Sequence, residues 1–239
     1  MKILALDSSG LVASVAVIED SVLLAEYTVD YKKTHSQTLL PMLDEIRSMV
    51  ELDLHTIDAI AIAAGPGSFT GLRIGAATAK GLGLALNKPL IEIPTLEGLA
   101  YQLWGTDKLV CPLMDARRNQ VYSGIYEFVP KGQGFEMKTV KEQCAVDISV
   151  MIEECNKSGR EVIFLGDGVP VFAEKLAEAL CVPYRFAPAN CNRQSAAAVG
   201  TLACVYYDLG KTVTAAAHQP EYLRMSQAER ERAEGKHHE

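Results

Sequence analysis

The stretch Lys2-Ile3-Leu4-Ala5-Leu6-Asp7-Ser8-Ser9-Gly10 is an apolar run that stops at an acid and a small polar turn. Short apolar runs bounded in this way read as buried strands. Residues 13–19 and 22–29 follow as two more runs across Glu19-Asp20-Ser21, which predicts an antiparallel three-stranded meander. Thr34 and Gln37 fit a capping box, and Leu39, Leu43, Ile46 and Val50 recur at helical spacing, which predicts a helix over 35–50 with a bend at Pro41. Residues 57–64 form a strand that runs into Gly65-Pro66-Gly67-Ser68-Phe69-Thr70-Gly71. A glycine-rich helix over 72–86, a strand over 90–93 and a helix over 95–104 complete this half.

The second half echoes the first. Residues 110–114 end at Asp115; strands at 120–129 and 136–144, a helix at 148–155, a strand at 161–165, the turn Gly166-Asp167-Gly168 and a helix at 171–180 follow. The order strand, Asp, strand, strand, helix, strand, glycine turn, helix thus occurs twice at a similar stride. It predicts a duplicated α/β fold with lobes at 1–105 and 106–224, the first ending near Gly105-Thr106-Asp107. An Ala-rich helix over 194–207 comes last, and the polar stretch 225–239 reads as a frayed tail whose His237 and His238 are incidental.

Composition narrows the function. The chain has 239 residues, 49% hydrophobic and 22% charged, ordinary for a folded protein with one or two cores. Its formal net charge of −7 argues against a broad grip on nucleic acid by this chain alone, because phosphate binding draws on clustered Lys and Arg. Cys111, Cys144, Cys155, Cys181, Cys191 and Cys204 make no CxxC pair, so they read as small core residues of a reduced, cytoplasmic protein. Neither a signal-peptide core nor a membrane-length apolar run is present, so no membrane role is expected.

Two turns carry candidate chemistry. Glycines between a strand and a helix present backbone N–H groups at the positive end of a helix dipole, which suits phosphate, so Gly65, Gly67, Ser68 and Gly71 are candidate contacts. The loop is neither a P-loop nor a clean dinucleotide fingerprint, although Glu92 stands about 20 residues beyond Gly71, near the ribose-binding offset. A tight turn without a ligand explains it equally well. Asp7, Ser8 and Ser9 resemble the first phosphate-facing hairpin of the actin, sugar-kinase and heat-shock ATPase folds. In the second turn Arg117 and Arg118 would crowd such a cleft. His35, His55 and His218 make no nucleophilic triad, and no Gly-x-Ser-x-Gly elbow occurs.

Leu4-Ala5-Leu6-Asp7-Ser8-Ser9, His35-Ser36-Gln37-x-Leu39-Leu40-Pro41, residues 65–75, Pro94-Thr95-Leu96-Glu97-Gly98-Leu99-Ala100 and Asp115-Ala116-Arg117-Arg118-x-x-Val121-Tyr122 together resemble the bacterial TsaB (YeaZ) family. The resemblance implies the two-lobed actin-like (ribonuclease H-like) fold. It also implies partnership with TsaD, the catalytic subunit that places a threonylcarbamoyl group on adenosine beside the tRNA anticodon, with the ATPase TsaE in the assembly. TsaD-like relatives carry a His-x-x-x-His metal pair where this chain has Thr95 and Leu99. A leucine offers no lone pair and a threonine hydroxyl is a poor substitute for imidazole, so the expectation is a non-catalytic paralogue without metal or cofactor; a metallopeptidase reading fails for the same reason.

The expected partner surface is the pair of first-lobe helices, with Leu39, Met42, Leu43, Ile46, Arg73, Ala76 and Lys80 as candidates, because the apolar stripe over 35–50 is wider than one sheet requires. The resemblance implies the same surface for a homodimer when TsaD is missing, and tRNA contact only through the complex. The alternative is an ATP-dependent small-molecule kinase or nucleotide hydrolase of the same fold, holding metal–ATP at Asp7 and the Gly65 loop. A dinucleotide oxidoreductase is disfavoured, because the glycine loop follows a meander and a helix rather than a first strand.

Overall fold

The computed structural model describes residues 1–31 and 37–224. Two five-stranded mixed sheets organise it. In the first, β1 (Lys2–Asp7), β2 (Ala13–Glu19), β3 (Val22–Val29), β4 (Ala59–Gly65) and β5 (Leu90–Pro94) lie in the order β3-β2-β1-β4-β5. In the second, β6 (Leu109–Asp115), β7 (Gln120–Lys131), β8 (Gly134–Asp147), β9 (Val162–Leu165) and β10 (Tyr184–Phe186) lie in the order β10-β9-β6-β7-β8. Each sheet is an antiparallel meander with two parallel strands added at its far side. The two orders superpose strand for strand, so the fold is the duplicated, ribonuclease H-like α/β architecture of actin-like proteins.

Every residue of β4, Ala-Ile-Ala-Ile-Ala-Ala-Gly, is buried, as a central parallel strand covered on both faces requires. Helices α1 (Leu39–Met49) and α2 (Phe69–Leu86) cover one face of the first sheet, where Leu39, Met42, Leu43 and Ile46 meet Leu4, Leu6, Val15 and Ile60. On the other face lies α6 (Ala196–Asp208), whose Ala196, Val199, Leu202 and Ala203 pack on Ile3, Ala5, Ala16 and Ile93. Helix α3 (Thr95–Tyr101) packs with Leu96, Leu99 and Ala100 against Val110, Met114 and Tyr126 of the second sheet, joining the lobes. Helices α4 (Ile148–Ser158) and α5 (Val169–Ala179) cover that sheet's outer face.

Several elements differ from the sequence expectation. Helix α1 begins at Leu39, so Pro41 lies in its first turn, where a missing N–H costs no intrahelical bond and no bend is needed. Thr34 and His35 lie outside the described residues, as does 225–239 with His237 and His238. Helix α2 starts three residues early, because Ser68 caps it by accepting the Gly71 N–H at 3.3 Å. Helix α3 ends at Tyr101 rather than 104, and β10 has no counterpart in the sequence reading. Chain order and packing part company at α6, which comes from beyond residue 106 yet lies on the first sheet. Cys111 and Cys155 are buried core residues; Cys144, Cys191 and Cys204 are half-buried and Cys181 is exposed, all six free.

Candidate functional site

The duplicated turns face each other across a cleft of about 410 Å³, with Ser9, Gly10, Gly67 and Ser68 on one side and Asp115, Arg117 and Asp167 on the other. Their geometry repeats. Asp7 Oδ1 accepts the Ser9 N–H at 2.9 Å, and Asp115 Oδ1 accepts the Arg117 N–H at 2.8 Å. In the second copy Arg117, Arg118 and Asn119 all hold left-handed backbone, with φ of 65°, 55° and 66°.

On the first-lobe side the polar groups are committed to one another. The Ser9 hydroxyl donates to Asp7 at 2.6 Å and the Ser8 hydroxyl to the Gly71 carbonyl at 2.9 Å, with Asp7, Ser8 and Ser9 all buried. The Ser68 N–H, a candidate phosphate donor, goes to the Ser9 carbonyl at 2.6 Å. Gly67 makes that approach possible: a Cβ there would meet the Ser9 carbonyl oxygen at 2.2 Å. Of the predicted contacts, Ser9, Gly67 and Ser68 line the cleft, while Asp7, Ser8, Gly65 and Gly71 do not.

Gly65 is covered by a strap that sequence reasoning did not identify. At φ +123° a Cβ on Gly65 would lie 2.2 Å from the Glu221 carbonyl oxygen, and the Glu221 N–H donates to the Ala64 carbonyl at 2.7 Å. Residues 213–224 run from β5, where Val213 and Leu90 exchange hydrogen bonds, past α2, where the Lys80 ammonium donates to the carbonyls of Ala216 and His218 at 3.2 and 2.9 Å. His218 Nδ1 then lies 2.6 Å from Glu92 Oε1, which gives Glu92 a structural partner in place of a ribose. Tyr222 packs on Phe69 with ring centroids 4.7 Å apart, and the Arg73 guanidinium sits 4.1 Å from the Phe69 ring centroid. Beyond them Gln143 donates to the Glu221 carboxylate at 2.6 Å and Arg224 to the Ala116 carbonyl, so the strap fastens both lobes. The strap's contacts are all long-range, so no local sequence signal announced them.

The second-lobe side is acidic. Burial pushes the Asp167 carboxyl above its ordinary range, against the Asp115 N–H that it accepts at 3.2 Å. The Arg117 guanidinium lies 3.3 Å from the Asp115 carboxylate. The second-lobe wall of the cleft is thus lined by Asp115 and Asp167 beside Arg117.

Thr95 and Leu99 sit at the lobe junction, 0% and 2% exposed. The Thr95 hydroxyl accepts the Gly65 N–H at 3.1 Å, and Leu99 belongs to the apolar cluster between α3 and the second sheet. Glu97, between them, accepts the Tyr206 hydroxyl at 2.5 Å; burial raises its carboxyl above the ordinary glutamate value, partly offset by that bond. No group of three or more His, Cys, Asp or Glu that could hold a metal occurs among the described residues.

The expected partner residues split. Leu39, Met42, Leu43, Ile46 and Ala76 are buried, at most 6% exposed, and belong under the surface, a correction to the sequence reading: one helical stripe faces the sheet fully, and the residues next to it face outward. Those outward residues are Leu40, 53% exposed, Met49, 77%, and Leu84, 65%. Arg73 remains exposed and Lys80 is half-buried under the strap.

A sequence profile described as TsaD, tRNA N6-adenosine threonylcarbamoyltransferase, matches residues 23–232. The tRNA threonylcarbamoyladenosine biosynthesis protein TsaB of Bacillus subtilis is 32% identical over 184 residues, 75% of this chain and 77% of that protein. Its Escherichia coli namesake is 30% identical over 229 residues, 94% and 95% of the two chains. The chain belongs to the TsaB family. The structure of YeaZ from Pseudomonas aeruginosa is similar too, with a TM-score of 0.75 at 27% identity over 93% of this chain and 99% of that one. The matches to the Escherichia coli protein and to the Pseudomonas aeruginosa structure span more than nine-tenths of the chain. No helix among the described residues is long and apolar enough to cross a membrane.

Proposed function

We propose that this TsaB family member is the non-catalytic scaffold subunit of the cytoplasmic assembly that forms threonylcarbamoyladenosine beside the tRNA anticodon, binding and activating TsaD. One observation carries the reading. At the positions of the metal pair in TsaD-like relatives, a fully buried Thr95 already satisfies the Gly65 N–H, and Leu99 is core. Neither side chain can bind a metal as imidazole does, so the reading requires no cofactor.

The partner surface that follows is the outer face of α1 and α2, with Leu40 on α1 and Leu84 on α2 as its apolar anchors. Gly81 lies on this face, and a Cβ there would meet nothing within 4 Å, so no internal contact accounts for a mid-helix glycine. A glycine in that place costs roughly 1 kcal/mol relative to alanine, which close approach of a partner helix would offset. Leu39, Met42, Leu43, Ile46 and Ala76 support the face from beneath, with Arg73 and Lys80 at its polar margin. The same face would pair two copies when TsaD is missing. TsaE joins the assembly, and tRNA is reached only through it, in keeping with a net charge of −7.

The kinase alternative is disfavoured by the N–H groups of Ser9, Gly65, Ser68 and Gly71, which are already committed to protein acceptors. Gel filtration with purified TsaD tests the contact: the chain should co-elute, and Leu40→Asp should abolish co-elution without changing its melting temperature. Undiminished co-elution of a Leu40→Asp, Leu84→Asp double variant would rule this face out.

A further inference from the structure

A groove of about 740 Å³ lies at the lobe junction and shares no lining residue with the cleft or with α1 and α2. Tyr101 and Trp104 come from the end of α3 and the segment after it, Phe135 from β8, and Ala198 and Thr201 from α6, so both sheets' layers contribute. Trp104 stands edge-on to Phe135 with centroids 5.2 Å apart and remains 47% exposed. Such a ring, held in place yet open on the solvent side, is a stacking platform.

The polar end is equally fixed. Gln102 Nε2 donates to the carbonyls of Arg193 at 2.7 Å and Leu99 at 3.4 Å. Two carbonyl partners identify that atom as the nitrogen, so Oε1 is the acceptor, and it accepts from none of the described residues. The cation on the lining, Lys131, is already paired with Glu136 at 2.7 Å, which leaves the groove without a free charge. Apolar slots with a few oriented polar groups are where small ligands bind.

We propose that this groove binds a flat, uncharged heteroaromatic ring carrying an N–H donor, the ring against Trp104 and Phe135 and the N–H on Gln102 Oε1. Such a ligand would touch both lobes.

Trp104 is the single tryptophan, so its emission reads the groove in the full chain. Benzimidazole should give a saturable change at a roughly millimolar or lower Kd, the range open to so small a ring. The same ring with its N–H methylated, 1-methylbenzimidazole, should bind about 5-fold or more weakly, because the oriented acceptor is left unpaired. Gln102→Leu should bring the two probes level, and Thr201→Phe, at an exposed position on α6, should remove the response by filling the slot. If either variant fails to fold, amide and indole NMR shifts of the wild-type chain locate the benzimidazole directly. Absence of a saturable response to benzimidazole in the folded wild type, equal affinity for both probes, or shifts that leave Gln102 and Trp104 unmoved would overturn the proposal.

Discussion

The Gly65 N–H and the Thr95 hydroxyl meet at 3.1 Å, which ties the loop entering α2 to the first residue of α3. Both residues are buried, so replacing the hydroxyl orphans a backbone donor away from water. Thr95→Val should therefore cost about 1–3 kcal/mol in urea denaturation, and Thr95→Ser should recover most of it. Equal stability of the valine variant would show that the bond contributes nothing.

Two glycines make a contrasting pair. Gly67→Ala would drive a Cβ against the Ser9 carbonyl at 2.2 Å, a backbone atom that can yield only by opening the turn, so stability should fall by about 2 kcal/mol or more. Gly81→Ala meets open space in mid-helix and should stabilise the isolated chain by about 0.5–1 kcal/mol. If a partner helix lies against that face, the same alanine should weaken TsaD binding, measured by titration calorimetry, while raising the melting temperature.

On α1 neighbouring leucines have opposite roles. Leu43 is 4% exposed within the first-lobe core, and Leu43→Ala should destabilise the chain by about 2–4 kcal/mol, detected by denaturant melts. Leu40, three residues earlier and 53% exposed, should tolerate a charged replacement with less than about 0.5 kcal/mol of change. A charged residue at Leu43 would unfold the lobe rather than report on an interface.

Glu97 gives the chain a pH signature. Burial raises its folded-state carboxyl above the ordinary glutamate value, so between the unfolded and folded values the folded chain binds more protons than the unfolded one. Its contribution to stability is greatest below the unfolded value and declines as pH rises through the folded one. Glu97→Gln should remove this decline, and urea midpoints for wild type and variant should converge toward acid and separate toward neutral pH, the variant higher.

The strands were legible because their signal is local. Residues 2–7, 13–19 and 22–29 alternate between apolar runs and turn residues, and all three match the observed bounds. Strand β10 escaped because Tyr184-Arg185-Phe186 is only three residues at a sheet edge, too short for a period. The repeated Asp turns were legible as a duplication, whereas their chemistry was not: the commitment of Ser8 to Gly71 and of Ser68 to Ser9 depends on which loops the sheet order brings together. The partner surface failed at finer grain still. Leu39 and Leu40 look alike in sequence, and the phase of a stripe on a helix is set by the sheet beneath it, which buries the one and leaves the other outside. The strap carried no periodicity at all, since its anchors, from Ala64 to Gln143, are tertiary.

Reconstitution of tRNA threonylcarbamoylation from purified components tests the central claim most directly. Labelled group transfer should be absent with this chain alone, low with TsaD alone, and raised many-fold when both are present with TsaE. Transfer by this chain without TsaD, or equal transfer with and without it, would contradict the scaffold reading.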